Sequence, residues 1–198
     1  MTAGATATYL RSLLCVSPLA PPGGVDTLLT AFGLLAEDRP ELRLEVVGGG
    51  PLSRALRRHA DDLGLTDRVD FCGPLPPPAV RTAVHRCTML VLPHREDRWA
   101  GACSPLLPLR VALESARPVV ATPVAALPEV VRHGETGLLV PPDDPTALAL
   151  AVTELLDDPE WATALGRAGR RAAVCLPDDD GDDAEPGRVQ RLWRHLIG

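Results

Sequence analysis

Short apolar runs alternate with amphipathic segments along most of the chain. Runs rich in Val and Leu recur at residues 13–17, 42–48, 69–72, 88–92, 118–122 and 137–140, and each predicts a strand. Several are apolar without interruption, which is typical of parallel strands covered on both faces. Apolar residues at helical spacing lie between these runs, first at Val25, Leu28, Leu29, Phe32 and Leu35, and then at Leu52, Ala55, Leu56, Ala60 and Leu63, where arginines occupy the other face. The alternation predicts a single Rossmann-like α/β domain with a doubly wound parallel sheet of about six strands.

Local signals divide the chain into segments. Asp144 and Asp158 each precede a proline, a pair that predicts an N-cap followed by proline at the first helical position. The stretch PDDDGDDAEPG is strongly acidic and predicts a loop. We therefore expect an N-terminal extension at 1–12, the Rossmann-like domain at 13–176, the acidic loop at 177–187 and a C-terminal helix at 188–198.

Composition and charge exclude several kinds of chemistry. The formal net charge of −6 argues against a nucleic-acid partner, and all 20 basic residues are arginine, so lysine-based catalysis is excluded. The five cysteines are widely spaced without a CxxC pair, which predicts buried thiols in a reducing cytoplasm and neither zinc nor a disulfide framework. No run approaches the ~20 apolar residues of a membrane span. We expect a cytoplasmic protein with no metal and no cofactor.

A glycine turn and two further strand ends supply candidate binding residues. Gly48, Gly49 and Gly50 lie between a predicted strand and a helix, where glycine permits a tight turn and the helix N-terminus offers free N–H groups. In an open α/β sheet, ligands bind at the carboxyl edge of the strands. Glycine also occurs wherever a strand reverses into a helix, so the spacing leaves a structural and a phosphate-binding interpretation equally open. Further candidates at the same predicted edge are Cys72, Gly73 and His94.

Three stretches, in the correct order, resemble a known family. The opening LLCVSPLAPPGGVDTLLTAF is similar to G-R-L-x-x-x-K-G-V-D-x-L-L-x-A-F. VVGGGPLSRALRRHADDLGLTDRVDFCGPLP is similar to G-x-G-P, a helix and L-G-L-x-x-x-V-x-F-x-G, and RPVVATPVAALPEVVRHGETGLLVPPDDPTALALAV is similar to P-V-V-A-T, P-E-V-V-x-x-G-x-T-G-L-L-V and D-P-x-A-L-A. Together they resemble the C-terminal, donor-binding domain of family-4-like GT-B glycosyltransferases. The resemblance implies a nucleotide-sugar-binding-type domain over 13–176, a nucleoside-diphosphate sugar as candidate donor, and retaining hexosyl transfer if the domain is active.

The charged residues of the family pattern are replaced at four positions. The run HREDRWAGACSPLLPLRVALESARPVVAT keeps the frame of a motif with two glutamates eight positions apart, the second opening E-A-M-A-x-G-x-P-V-V. Aligning Pro118 with the proline of that run places the glutamates at Cys103 and Val111. The arginine and lysine that neutralise the donor diphosphate fall on Pro18 and Gly23. Each lost charge-assisted contact removes about 1.5–3 kcal/mol of binding free energy, so we expect impaired donor binding and no catalytic residue.

Other residues of this motif remain as donor-binding candidates. By the resemblance, the diphosphate would leave near the start of a helix at Ser104, Leu106 and Leu107. Glu114 lies three residues after Val111 on a similar helix face, where it either substitutes for the lost carboxylate or is a surface residue, and we favour the surface. His94 stands at a common family serine and either touches a ligand or caps the strand end.

Two functions follow from the kept frame and the lost charges. The first is a pseudo-glycosyltransferase or partner subunit, impaired alone, whose protein partner supplies the acceptor half or is another glycosyltransferase. The alternative is an active nucleotide-sugar-dependent component completed by a separate acceptor-domain chain.

Overall fold

Six parallel strands form one sheet in the computed structural model, which describes residues 11–95, 106–124 and 127–173. The strands are β1 (Ser12–Val16), β2 (Arg43–Val47), β3 (Val69–Gly73), β4 (Met89–Leu92), β5 (Val119–Ala121) and β6 (Leu138–Leu139). Every strand begins and ends within one residue of its predicted bounds, and β1, β4 and β5 are fully buried, as their uninterrupted apolar runs require.

The strand order is β3-β2-β1-β4-β5-β6. Strand β1 pairs in parallel with β2 on one side and with β4 on the other. The chain adds β2 and β3 on one side of β1 and then crosses to add β4, β5 and β6 on the other side, so β1 and β4 flank the point where the strand order reverses. This order confirms the predicted doubly wound Rossmann-like class. It also places the ligand crevice of such folds outside the carboxyl ends of β1 and β4.

Seven helices of the described residues flank the sheet. The two predicted N-caps are present, since the Asp144 and Asp158 carboxylates accept hydrogen bonds from the N–H groups of Ala147 and Trp161, both at 2.8 Å. A short 3-10 turn, Pro21–Gly23, precedes the first helix. The helices are α1 (Val25–Asp38), α2 (Ser53–Asp62), α3 (Pro77–Arg86), α4 (Leu106–Glu114), α5 (Leu127–Val130), α6 (Pro145–Asp157) and α7 (Pro159–Ala173).

The central strands supply side chains to two apolar clusters, one on each face of the sheet. In β1, Leu13 and Cys15 pack against α1, α2 and α6, whereas Leu14 and Val16 pack against α3 and α4. Both clusters therefore share the strands between them, and the sheet is the middle layer of three.

One cysteine departs from the expected burial. Cys15 and Cys87 are buried, but Cys72 is exposed because alternate residues of the edge strand β3 face solvent. The Cys72 thiol lies 3.5 Å from a carboxylate oxygen of Glu45, and partial desolvation together with that negative charge raises its pKa to about 12. This thiol is therefore protonated and unreactive at neutral pH.

None of the helices in residues 11–95, 106–124 and 127–173 is long and apolar enough to cross a membrane. Within the same ranges, no group of three or more His, Cys, Asp or Glu side chains is placed to hold a metal ion.

Candidate functional site

The glycine turn after β2 packs directly on the loop after β1. A Cβ atom at Gly48 would lie 1.9 Å from the Ser17 carbonyl oxygen, and one at Gly50 would lie 2.4 Å from the Leu19 carbonyl oxygen. Both glycines also have positive φ, 147° and 156°. Backbone packing between the two loops is thus a sufficient reason for glycine at both positions. Gly49 differs, since its nearest neighbour would be a Pro74 side-chain carbon at 3.5 Å.

The loop after β1 is built around Gly23, the position that the resemblance assigns to a diphosphate-binding lysine. A Cβ atom at Gly23 would lie 2.1 Å from the Pro18 carbonyl oxygen, and the Ser17 hydroxyl donates a 3.0 Å hydrogen bond to the Gly23 carbonyl. Gly24 has φ 64°, and a Cβ atom there would lie closer still to backbone, at 1.7 Å from the Pro93 carbonyl oxygen. A side chain at residue 23 would therefore require the loop to move. The backbone conformation of this loop thus has no room for a cationic side chain at that position.

The second glutamate position of the family motif lies in the core. Val111 is 1% exposed and belongs to the apolar cluster formed by α3 and α4 with one face of the sheet. Its side chain therefore has neither the charge nor the exposure to bind a ribose hydroxyl. The other glutamate position, Cys103, and the neighbouring Ser104 lie outside the described residues.

The other donor-binding candidates of α4 lie at opposite ends of the helix. Leu106 and Leu107 form its first described turn and are partly buried, with Leu107 packed on the same apolar cluster as Val111. Glu114 ends the helix with its side chain 43% exposed and accepts a 2.7 Å hydrogen bond from the Arg110 Nε–H. Because α4 runs from the carboxyl edge towards the start of β5, Glu114 lies at the opposite edge, as the surface interpretation expects.

The end of β3 contributes backbone to the site. The Gly73 carbonyl accepts a 2.9 Å hydrogen bond from the Gly48 N–H, and Gly73 has φ 73° with no atom within 4 Å of a built Cβ. The Cys72 side chain, by contrast, lies on the face of the sheet against Glu45.

His94 is a buried, neutral residue at the end of β4. Its side chain has no exposed surface, and desolvation by burial lowers its pKa to about 3. Its backbone carbonyl accepts a 2.6 Å hydrogen bond from the Thr122 hydroxyl, which joins the ends of β4 and β5. His94 therefore supports the strand end and supplies no positive charge near neutral pH.

A polar cleft beside the switch point contains residues that the sequence did not single out. It has a volume of about 400 Å³. The Arg95 guanidinium donates to the Asp26 carboxylate at 2.8 Å and to the Thr27 hydroxyl at 2.9 Å, and its Nε–H donates to the Asp143 carboxylate. The Arg95–Asp26–Asp143 group is referred to below as the Arg95 clasp. The cleft is lined by the clasp residues with Thr27, Thr30 and His59.

Electrostatic interactions stabilise the charged forms of Asp26 and Arg95. Burial alone would raise the pKa of Asp26, but the hydrogen bond and the charge of Arg95 outweigh it and lower that pKa below its usual value. Burial would likewise lower the pKa of Arg95, yet its bonds to Asp26 and Asp143 raise it. Two carboxylates and one guanidinium leave the clasp with a net negative charge, so it does not attract anions as it stands.

A parallel six-stranded sheet of this order, with helices on both faces, defines a Rossmann-like domain. The chain belongs to the family described as Glycosyl transferases group 1, whose family model matches residues 11–158. This confirms the resemblance drawn from the three sequence stretches.

Two of the similar proteins are much longer than this chain. A GDP-mannose-dependent alpha-(1-6)-phosphatidylinositol monomannoside mannosyltransferase of Mycolicibacterium smegmatis is 36% identical over 165 residues, which are 82% of this chain and 43% of the relative. Sucrose-phosphate synthase from Thermosynechococcus elongatus superposes with a TM-score of 0.74 at 29% identity, over 94% of this chain and 45% of that one. The chain thus spans less than half the length of these two proteins.

One solved structure of similar size has the same fold. The C-terminal domain of a glycosyl transferase group 1 family protein, LpcC from Francisella tularensis, superposes with a TM-score of 0.73 over 83% of this chain and 84% of that one. At 18% identity, this likeness is a statement about the fold alone.

Proposed function

We propose that this domain is the donor half of a glycosyltransferase-like protein that does not transfer sugar alone and acts as a pseudo-glycosyltransferase or partner subunit. The observation that carries the proposal is the loop after β1, where a Cβ at Gly23 would meet the Pro18 carbonyl oxygen at 2.1 Å. A cationic side chain for a donor diphosphate has no room at this position in the folded loop.

Three other residues at or near this edge do not replace that cation. His94 is neutral, Val111 is in the core, and the guanidinium of Arg95 is bonded to two carboxylates. Loss of two charge-assisted contacts of about 1.5 kcal/mol each lowers donor affinity by roughly 100-fold, and the reduction is larger if the lost contacts were stronger. A domain that weakly binds its donor is better suited to a structural or activating role beside another enzyme.

The partner in this proposal is a protein. The relatives named above are more than twice the length matched by this chain. The proposed partner supplies the acceptor half or is another glycosyltransferase. The proposed setting is the cytoplasm.

A second function is favoured by the glycine turn. Gly49 is exposed and the space beside Gly73 is open, so the backbone of the turn remains accessible at the carboxyl edge. The alternative is an active component that performs retaining transfer from a nucleoside-diphosphate sugar once a separate acceptor-domain chain is added.

Titration calorimetry with UDP-, GDP- and ADP-sugars separates the two functions. For the pseudo-enzyme, we expect no binding tighter than roughly millimolar, because a diphosphate gains little binding free energy where no cationic side chains contact it. Micromolar binding of any of these sugars would contradict the proposal and support the alternative. Gly49→Leu adds a side chain to the exposed glycine turn, so micromolar binding at that turn, where it is found, should be lost in this variant.

A further inference from the structure

The Arg95 clasp joins three elements at the carboxyl edge of the sheet. Arg95 follows the end of β4, Asp26 lies in the first turn of α1, and Asp143 lies just before α6. The Arg95 N–H also donates to the Pro22 carbonyl at 3.0 Å, and its guanidinium donates to the Pro21 carbonyl at 3.3 Å. The cation thus lies against the loop after β1, at the switch point where open α/β sheets bind ligands.

The hydrogen-bonding capacity of the guanidinium is nearly used up. Two carboxylates, one hydroxyl and one carbonyl accept from its nitrogen atoms. A guanidinium has five N–H donors in a planar fork that suits carboxylate and phosphate oxygens alike. In this structure the guanidinium donates to carboxylate oxygens of Asp26 and Asp143.

The contacts that hold the clasp are exposed enough to be exchanged. The side chains of Asp26 and Asp143 are 44% and 59% exposed, against 24% for Arg95. Exposed ion pairs contribute little net free energy because water solvates the separated charges well. Asp26 would in addition keep the favourable field of the α1 N-terminus if Arg95 turned away, since anions are stabilised in the first turn of a helix.

We propose that the Arg95 clasp is an autoinhibitory contact, in which Asp26 and Asp143 compete with a diphosphate for the Arg95 guanidinium. The inference rests on the proposed function and deepens it, because it identifies why this edge of the sheet rejects anions. Arg95 is the specificity-determining cation and the two carboxylates set its availability. The ligand class is a diphosphate, either free or as part of a nucleotide.

Calorimetry on matched variants tests the clasp. Inorganic pyrophosphate, UDP, GDP and ADP are titrated into the wild-type chain and into Asp26→Asn/Asp143→Asn, which keeps the side-chain shapes and removes both competing charges. We expect at least a tenfold gain in affinity for pyrophosphate. A gain that is larger for one nucleotide than for pyrophosphate identifies a nucleotide as the source of the diphosphate. Adding Arg95→Gln should abolish the gain.

The control removes the same charge from the opposite edge. Asp157→Asn/Glu41→Gln breaks the ion pairs with Arg39 at 2.7 Å and Arg11 at 3.6 Å, and it should leave affinity unchanged. An equal gain in this control, no gain in the clasp variant, or a gain that survives Arg95→Gln would each overturn the proposal.

The design remains decisive if the double variant folds poorly. Asp143→Gly removes one competitor at a residue with φ 58°, a conformation that glycine adopts without strain, so this variant should fold at least as well as the wild type. This variant should show a smaller gain in pyrophosphate affinity, and that gain should also depend on Arg95.

The failure of this proposal can be distinguished from the failure of the proposed function. Tight binding of nucleotide sugars by the wild type would contradict the pseudo-enzyme proposal, whereas the clasp is judged by the ratio of affinities between variants.

Discussion

Burial decides what single residues can do at this candidate site. Val111 occupies a position that the family motif gives to a carboxylate, and His94 is a titratable residue at a strand end, yet both side chains are in the interior. Their identities are visible in the sequence, but their solvation is not. Chemistry that needs a charge is therefore lost at one position and suppressed at the other.

Restoring the family carboxylate should destabilise the protein. Val111→Glu buries a carboxylate in an apolar cluster, which we expect to lower the free energy of unfolding by about 3–5 kcal/mol at neutral pH. Burial raises the folded-state pKa of such a group, so the penalty grows as pH rises above about 4.3, the usual unfolded value. Urea unfolding at pH 5 and pH 8 measures this. Val111→Gln, of equal size without charge, should lack the added pH dependence, and equal stability of the two variants at pH 8 would contradict the prediction.

His94 should make stability fall in acid. Its pKa is about 3 in the folded protein, against about 6.5 unfolded, so below pH 6.5 the unfolded chain binds a proton that the folded one does not. The free energy of unfolding then decreases towards lower pH by about 1.4 kcal/mol per unit, or about 2 kcal/mol between pH 6.5 and 5. Urea unfolding at these two values should show that His94→Gln removes this part of the slope. The exposed His85→Gln is the control, and a slope unchanged in His94→Gln would refute the assignment.

At the scale of elements, close backbone approach explains residues that helix propensity disfavours. Gly166 lies inside α7, where a Cβ would be 2.1 Å from the Ala116 carbonyl oxygen in the turn after α4. Ala116 itself has φ 53°, at the position of the glycine in the E-A-M-A-x-G-x-P-V-V run. The packing of α7 on α4 therefore depends on one glycine that must stay and one strained alanine.

A pair of glycine substitutions tests this contact. Gly166→Ala should lower the free energy of unfolding by about 1–3 kcal/mol, because the added carbon meets backbone that cannot easily shift. Gly33→Ala, in α1, meets only a Leu63 side-chain carbon at 3.9 Å and should raise stability by about 0.5–1 kcal/mol through helix propensity. Thermal and urea unfolding of both variants measure the difference. Similar effects at the two positions would show that the contact with Ala116 is unimportant.

For the whole molecule, most of the fold was predictable from local pattern. The six strands, the amphipathic helices and the N-caps at Asp144 and Asp158 follow from residues that are near neighbours in the sequence. The exposure of Cys72 was missed because an apolar pattern does not reveal which strand lies at the edge of the sheet. Membership of the glycosyl transferase group was also visible, since three motifs occur in the expected order.

The Arg95 clasp was invisible in the sequence. Its partners are 69 and 48 residues away, and each pair is joined only because the ends of β4, the start of α1 and the start of α6 meet at one edge. No local pattern indicates that a given arginine will meet two aspartates from distant loops.

The amino-acid sequence alone determined the fold class, the family frame and the identity of the neutral residues at Pro18, Gly23 and Val111, because these depend on periodicity and residue type. Only the tertiary structure decided that Gly23 has no room for a side chain, that Val111 belongs to the core and that Arg95 is already bonded. The reason is physical, since steric room, solvation and charge pairing depend on groups brought together across the whole chain.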